Sequence, residues 1–227
     1  MQKQTQRSRQ AEEVKTAILD AAIPLFAHGY DSTSLQQIAA AAGVKQPLLL
    51  YHFGSKEKLW EQTAARLMQR FEAVYRSHLA PLRKDAGDRL KLRRLLLAFV
   101  LALRELPAYG QFLLCEGVQV SGRLSWLHRH YFPAAFLETQ FGDARLHAAL
   151  MQVSLARSAL AGALLYTVVA GPQIAQSARL EGRGSPDDLY PISDAMAARL
   201  VEMMCDFVFS QLQEAPPARA RARSQRR

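Results

Sequence analysis

The sequence predicts an all-α protein, with an N-terminal three-helix helix-turn-helix domain followed by a larger helical domain. Three observations carry this. Apolar residues recur at three- and four-residue steps along most of the chain. Gly and Pro number only 12 and 10 in 227 residues, which leaves long stretches free of helix breakers. Runs of β-branched residues, the mark of strands, are rare. With 49% apolar residues a packed core is within reach, and wholesale disorder is excluded.

The first helix is expected over Val14–His28, where Val14, Ile18, Ala21, Ala22, Leu25 and Phe26 form one apolar face. Pro24 lies inside this pattern and should kink the helix or tighten its last turn. Gly29 supplies the left-handed stop. Asp31-Ser32-Thr33-Ser34 then opens a second helix, Ser34–Ala41. Either Thr33 with Gln36 or Ser34 with Gln37 has capping-box spacing. Ala42-Gly43-Val44 is a tight turn, and Gln46–Phe53 is a third short helix with Pro47 in its first turn, where no N–H is missed. Ala39 is small where the second and third helices cross. Ile38, Val44 and Leu49 fill the space between them. This is the helix-turn-helix pattern, and the polar side of its last helix is free to enter a major groove.

Beyond Gly54, Ser55 caps a long helix to about Leu79, striped by Leu59, Trp60, Thr63, Leu67, Phe71, Val74 and Tyr75. Further helices are expected from Asp88 to before Pro107, over Tyr109–Val120, over Leu124–Gln140, and from Arg145 to a stop at Gly171-Pro172. Residues 181–191 read as a loop, and Asp194–Leu212 as the last helix. The domain limits are a flexible basic arm at 1–12, the helix-turn-helix domain at 13–58, the larger domain at 59–213 and a disordered basic tail at 214–227.

The formal net charge of +9 favours polyanionic partners, although solubility alone also explains it. The excess is concentrated at the C-terminal end, where residues 213–227 carry five Arg against one Glu. Two cysteines, Cys115 and Cys205, make neither a disulfide framework nor a CxxC metal site. The longest uncharged runs, Leu95–Leu103 and Ala159–Pro172, are shorter than the roughly 20 residues a bilayer crossing needs. Met1–Gln10 is polar and basic, unlike a signal peptide, so the expected compartment is the cytoplasm, without membrane association. His128 and His130 stand two apart, on different helix faces, so no metal site is expected there. No hydrolase, Walker or zinc-protease pattern occurs, and no catalytic residue or cofactor is expected.

The order and spacing of Phe26, Gly29-Tyr30, Thr33-Ser34-Leu35, Ile38-Ala39, Ala42-Gly43-Val44, Tyr51-His52-Phe53 and Ser55-Lys56-Glu57-Lys58-Leu59 are distinctive. Over Ala17–Trp60 the chain closely resembles the DNA-binding domain of the TetR family of bacterial transcriptional regulators. The resemblance implies a homodimeric regulator, a repressor released from a palindromic operator in double-stranded DNA by a small-molecule effector. It implies DNA contacts at Thr33, Ser34, Lys45, Gln46, Pro47, Leu48, Tyr51, His52 and Lys56, with Lys3, Arg7 and Arg9 entering a minor groove. Lys45, Pro47, Leu48 and Leu50 depart from the Ser or Thr, Gly, Ser or Thr, and aromatic residues the family often carries there. Leu48 is limited to apolar contact such as a thymine methyl, and the plain alternative has Leu48 and Leu50 packing on the fourth helix.

Two readings of the aromatic residues stay open. Tyr109, Phe112, Trp126, Tyr131, Phe132, Phe136 and Phe141 either form core alone or line a ligand cavity, which the resemblance favours. Phe112, Cys115, Glu116, Trp126, His130, Tyr131 and Tyr166 are the ligand candidates, with Glu116, Arg123 and His130 as polar anchors. Ser154, Ser158 and Gly162 are small residues at four-residue steps, and the helices around them are apolar over broad arcs. That breadth is either domain core or a two-fold interface, for which Ser158, Gly162, Leu165, Met203 and Phe207 are the candidates. The rival reading of the whole chain is an all-α small-molecule-binding protein or enzyme without sequence-specific DNA binding.

Overall fold

A computed structural model describes residues 2–83, 85–118, 120–131, 146, 150, 155–182 and 190–214. Among them lie ten helices and no strand. These are α1 (Gln2–Ala27), α2 (Leu35–Ala41), α3 (Gln46–Phe53), α4 (Lys56–Ser77), α5 (Asp88–Glu105), α6 (Pro107–Gly117), α7 (Gly122–Tyr131), α8 (Leu155–Val169), α9 (Gly171–Leu180) and α10 (Asp194–Glu214). The expected basic tail, the expected helix start at Arg145, and Phe132, Phe136, Phe141 and Ser154 lie outside the described residues.

The helices divide into two compact units, residues 1–77 with 102–133, and residues 78–101 with 134–227. In the first unit, α1 buries Ile18, Ala22, Ile23, Phe26 and Ala27. Asp20, on the same helix, is gripped by Arg66 of α4 through two bonds, 2.7 and 2.9 Å, with Arg70 at 3.3 Å. The Arg66 hydrogen bond holds the Asp20 carboxyl below its ordinary value. α4 buries Leu59, Trp60, Thr63, Ala64, Leu67, Met68 and Phe71. α1 and the short α2 and α3 cover only part of this stripe. The rings of α6 complete it, with Phe112 on Trp60 and Tyr109 stacked on Phe71. The unit therefore extends well past residue 58, where the sequence placed the domain limit.

Two features depart from the expected helices. The arm expected at residues 2–12 is instead the first part of α1. Nothing there breaks a helix. Side chains such as Gln, Lys, Arg and Glu favour one, and Arg9–Glu13 and Lys15–Glu12 pair one turn apart. A helix is too wide for the minor groove, so the role expected of Lys3, Arg7 and Arg9 does not fit this conformation. The stop expected at Gly171-Pro172 is also a start. Pro172 sits in the first turn of α9, which needs no N–H from it. Gly171 is required because a Cβ there would lie 2.2 Å from the Tyr190 ring.

In the second unit, α8 buries Leu160, Leu164 and Val168, and α10 buries Ala197, Val201, Cys205 and Val208. The two helices pack on each other, and α9 packs beside α8. Arg89 of α5 reaches Glu202 (3.1 Å) and Asp206 (2.7 Å) of α10, and Arg93 also pairs with Glu202. Ser193 caps α10 by accepting from the Met196 N–H at 3.2 Å. No single described helix is long and apolar enough to cross a membrane.

The Asp20 pair is favourable only while the carboxylate is ionised. Because its pKa is depressed on folding, its contribution is present at neutral pH and fades as the pH falls below about 4. Asp20→Asn should lower stability by about 1 kcal/mol at pH 7. Thermal melts at several pH values should show the gap from the unaltered protein closing in acid.

Candidate nucleic-acid interface

The α2–α3 pair is set by its caps. Ser34 Oγ accepts from the Gln37 N–H (3.1 Å), and Gln37 Oε1 accepts from the Ser34 N–H (2.7 Å). Of the two possible capping boxes, Ser34 with Gln37 is the one that forms. The chain leaves α2 through bonds from Ala42 N–H to Ile38 C=O (2.9 Å) and from Val44 N–H to Ala39 C=O (2.9 Å). Gly43 takes φ +67°, a left-handed conformation that favours glycine, and turns the chain into α3. Pro47 occupies the first turn of α3, and Gly54 ends the helix at φ +76°.

Only two α3 side chains, Leu49 and Phe53, are buried. They lie one turn apart and fix which side faces the unit. Lys45, Pro47, Leu48, Leu50 and Tyr51 are exposed, and Gln46 and His52 are half-buried. Tyr51 is 82% exposed, Leu48 40% and Leu50 37%. Each leucine is thus partly packed and partly open. Lys45 precedes the helix in extended backbone and makes no capping bond. Its cationic side chain stands beside the exposed face.

Thr33 departs from its expected role. It is buried, and its hydroxyl hydrogen is shared between the carbonyls of Leu25 (2.9 Å) and Gly29 (2.7 Å). It has no donor left for a phosphate. It ties the end of α1 to the start of α2, through one carbonyl in α1 (Leu25) and one in the turn after it (Gly29), a link that helix-capping spacing does not reveal. Ser34 is exposed and its hydroxyl keeps a hydrogen to donate. Lys56 is half-buried, with its ammonium 4.2 Å from the centre of the Tyr30 ring.

Tyr30 was part of the expected motif without a role, and it connects two parts of the unit. Besides Lys56, the Arg123 guanidinium of α7 lies 4.0 Å from the centre of its ring. Arg123 Nε also donates to both oxygens of buried Glu116, at 3.2 and 3.1 Å. Burial pushes the Glu116 carboxyl above its ordinary value, and Arg123 opposes this. Glu116 and Arg123 were both proposed as ligand anchors; here each has the other as its partner.

The rings expected to form either core or a cavity pack together. Trp60 stacks on Phe112 (5.5 Å), meets Trp126 edge to face (5.7 Å), and Trp126 stacks on His130 (4.4 Å) and touches Tyr131 (5.6 Å). Cys115 is exposed on α6 and donates from Sγ to the Ala27 carbonyl at 3.2 Å. Burial raises its thiol pKa, which makes the reactive thiolate scarcer. Tyr166 belongs to the second unit, at an open hollow of about 290 Å³ with Gln173, Ile174 and Ser177. Among the described residues no group of His, Cys, Asp and Glu is placed to hold a metal ion.

α3 is thus held by a glycine turn against α2 with one side open. The sequence profile for bacterial regulatory proteins of the tetR family matches residues 18–63, the stretch that builds this arrangement. Over these residues the chain is similar to the DNA-binding part of that family. Two curated transcriptional regulators align over this part. HTH-type transcriptional regulator RutR of Escherichia coli K12 is 40% identical over 80 residues, 34% of this chain and 38% of RutR. The biofilm operon icaADBC HTH-type negative transcriptional regulator IcaR of Staphylococcus aureus (strain Newman) is 45% identical over 51 residues, 22% of this chain and 27% of IcaR. The matched stretch thus spans about two fifths or less of these relatives' length.

The TetR fold extends further than that. A TetR-like transcriptional regulator from Rhodococcus sp. RHA1 superposes with a TM-score of 0.53 at 20% identity, covering 89% of this chain and 97% of its own. A tetR-family transcriptional regulator from Streptomyces coelicolor gives 0.54 at 18% identity, covering 91% of each chain.

The two kinds of residue at this interface should separate in stability measurements. Thr33→Val keeps the shape but removes the hydroxyl that bridges the Leu25 and Gly29 carbonyls, and should cost about 0.5–1.5 kcal/mol in urea denaturation. Tyr51→Ala removes a large side chain that supports nothing in the fold, and should stay within about 0.5 kcal/mol.

Proposed function

We propose that the chain is a homodimeric DNA-binding transcriptional regulator that reads a palindromic operator with α3. The single observation that carries this is the exposure of the α3 face in a helix-turn-helix domain of the TetR family. Tyr51, His52 and Lys56 grip the phosphate backbone, with the Ser34 hydroxyl beside them. Lys45 and Gln46 reach base edges, Lys at guanine acceptors and Gln at adenine. Pro47 starts the helix that carries them. The site of action is the bacterial cytoplasm, where the operator is.

A single two-turn helix binds weakly, and two copies spaced by about one turn of duplex, roughly 34–36 Å, read a palindrome. The pattern of exposure in the second unit supports a two-fold pairing. Ser158 and Gly162 on α8 are exposed, Met203 on α10 is 55% exposed, and Leu165 and Phe207 are half-buried. Small residues on α8 let a second helix come close, and the larger apolar groups gain by burial.

The mode of action is repression relieved by a small molecule, and the similarity to IcaR, a negative transcriptional regulator, favours repression. The effector binds the non-operator state better and so shifts the equilibrium away from DNA. Arg123 is the suggested route within the first unit, because the α7 helix that carries it also touches Tyr30 beside Lys56.

Two measurements test this reading. Selection from a random duplex pool should return a palindrome, with affinity falling steeply as salt rises. Tyr51→Ala should weaken binding to that duplex at least about fivefold without altering the melting temperature. Equal binding to every sequence, or unchanged affinity in the variant, would count against α3 as the reader. In sedimentation, Met203→Glu should shift the protein from dimer to monomer and weaken operator binding in parallel.

A further inference from the structure

The outward face of α3 is short of hydrogen-bonding groups. In a helix anchored by Leu49 and Phe53, the opposite side is formed by Pro47, Leu48, Leu50 and Tyr51. Of these only Tyr51 has a polar atom, its phenol. The two leucines are partly covered and partly open, at 40% and 37% exposure. An apolar side chain left partly open on a short surface helix gains by burial against a partner. The surroundings are cationic, with Lys45 before the helix and Lys56 and Lys58 just after it, against Glu57. A polyanion with apolar features fits such a face.

In the major groove of DNA the bases offer hydrogen-bonding edges everywhere and one apolar group, the 5-methyl of thymine. We propose that Leu48 and Leu50 are specificity-determining residues that recognise pyrimidine 5-methyl groups, so that each operator half-site carries thymines at the two steps they face. This rests on the reading of α3 as the DNA-reading helix. Leu48 and Leu50 lie on opposite shoulders of the helix, about 160° apart in helical projection with Pro47 and Tyr51 between them. They therefore meet different base steps, and each contributes separately. Burying one methyl group against a leucine corresponds to about a three- to fivefold change in affinity.

The test uses the full-length protein and the palindrome recovered by selection. Each thymine is replaced in turn by deoxyuridine, which removes the methyl and leaves every hydrogen-bonding group in place. Fluorescence anisotropy should show a three- to fivefold loss at two positions per half-site and none elsewhere. In Leu48→Ala one of those penalties should vanish while the other persists, and in Leu50→Ala the reverse. Both leucines are exposed, so melting temperatures should match the unaltered protein. A duplex with 5-methylcytosine at an affected step distinguishes the source of the methyl. Partial recovery there shows that the group itself is read, whichever base carries it. Equal binding of thymine and deoxyuridine duplexes overturns the proposal while leaving α3 as a reader of other features. So does a uracil penalty that both alanine variants retain. A change of oligomeric state in Leu48→Ala without any uracil penalty would assign the face to protein contact and overturn it too. Failure to bind any duplex would bring down the DNA-binding reading and this proposal together.

Discussion

Two buried side chains decide what α3 presents. α3 has only eight residues, so Leu49 and Phe53 are its whole hydrophobic anchorage, and its rotation about its own axis follows from them. Everything exposed on α3 is exposed because those two are not. The turn before it allows no slack. Gly43 adopts a backbone conformation that is costly for other residues, and the Val44 N–H is tied back to Ala39. A side chain added at Gly43 would meet no neighbour within 4 Å, so the demand there is on backbone angle and not on space. The helix is therefore oriented by a few short-range constraints, and within the first unit α1 acts on it through α2 and α4 acts on it directly.

That action converges on Tyr30. Thr33 fastens the end of α1 to the start of α2 through the Leu25 and Gly29 carbonyls, and Tyr30 sits between them in sequence. Its ring is within 4.2 Å of one cation from α4 and 4.0 Å of another from α7. Arg123 is held by Glu116, a buried carboxylate that depends on it for compensation. A displacement of α7 must therefore either carry Arg123 away from Tyr30 or leave Glu116 without its counter-ion. Either result alters the surroundings of the helix-turn-helix at a point where its geometry is already tightly specified.

Much of the reading head was legible in the sequence because its signals are local. Ser34 with Gln37, Gly43 and Pro47 each act within four residues, and α3 begins and ends where they predict. Thr33 was misread because its partners lie up to eight residues upstream, across a turn that spacing rules do not see. The first part of α1 was missed because a polar, charged run looks the same whether helical or extended. Gly171-Pro172 was taken as an end because proline ends and begins helices with equal ease. Glycine there answers to the ring of Tyr190, nineteen positions away in sequence. The ligand candidates were harder still. Aromatic residues mark both a cavity wall and a filled core, and Phe112 and Trp126 are packed on Trp60.

The chain has two tryptophans, Trp60 and Trp126, and they touch. One rides on α4 below the reading head and the other on α7. Tryptophan emission of this protein therefore comes from a single junction, with His130 stacked on one side. Sliding of α7 against α4 registers in that light when tryptophan is excited selectively, without a label and without a second tryptophan site to dilute it.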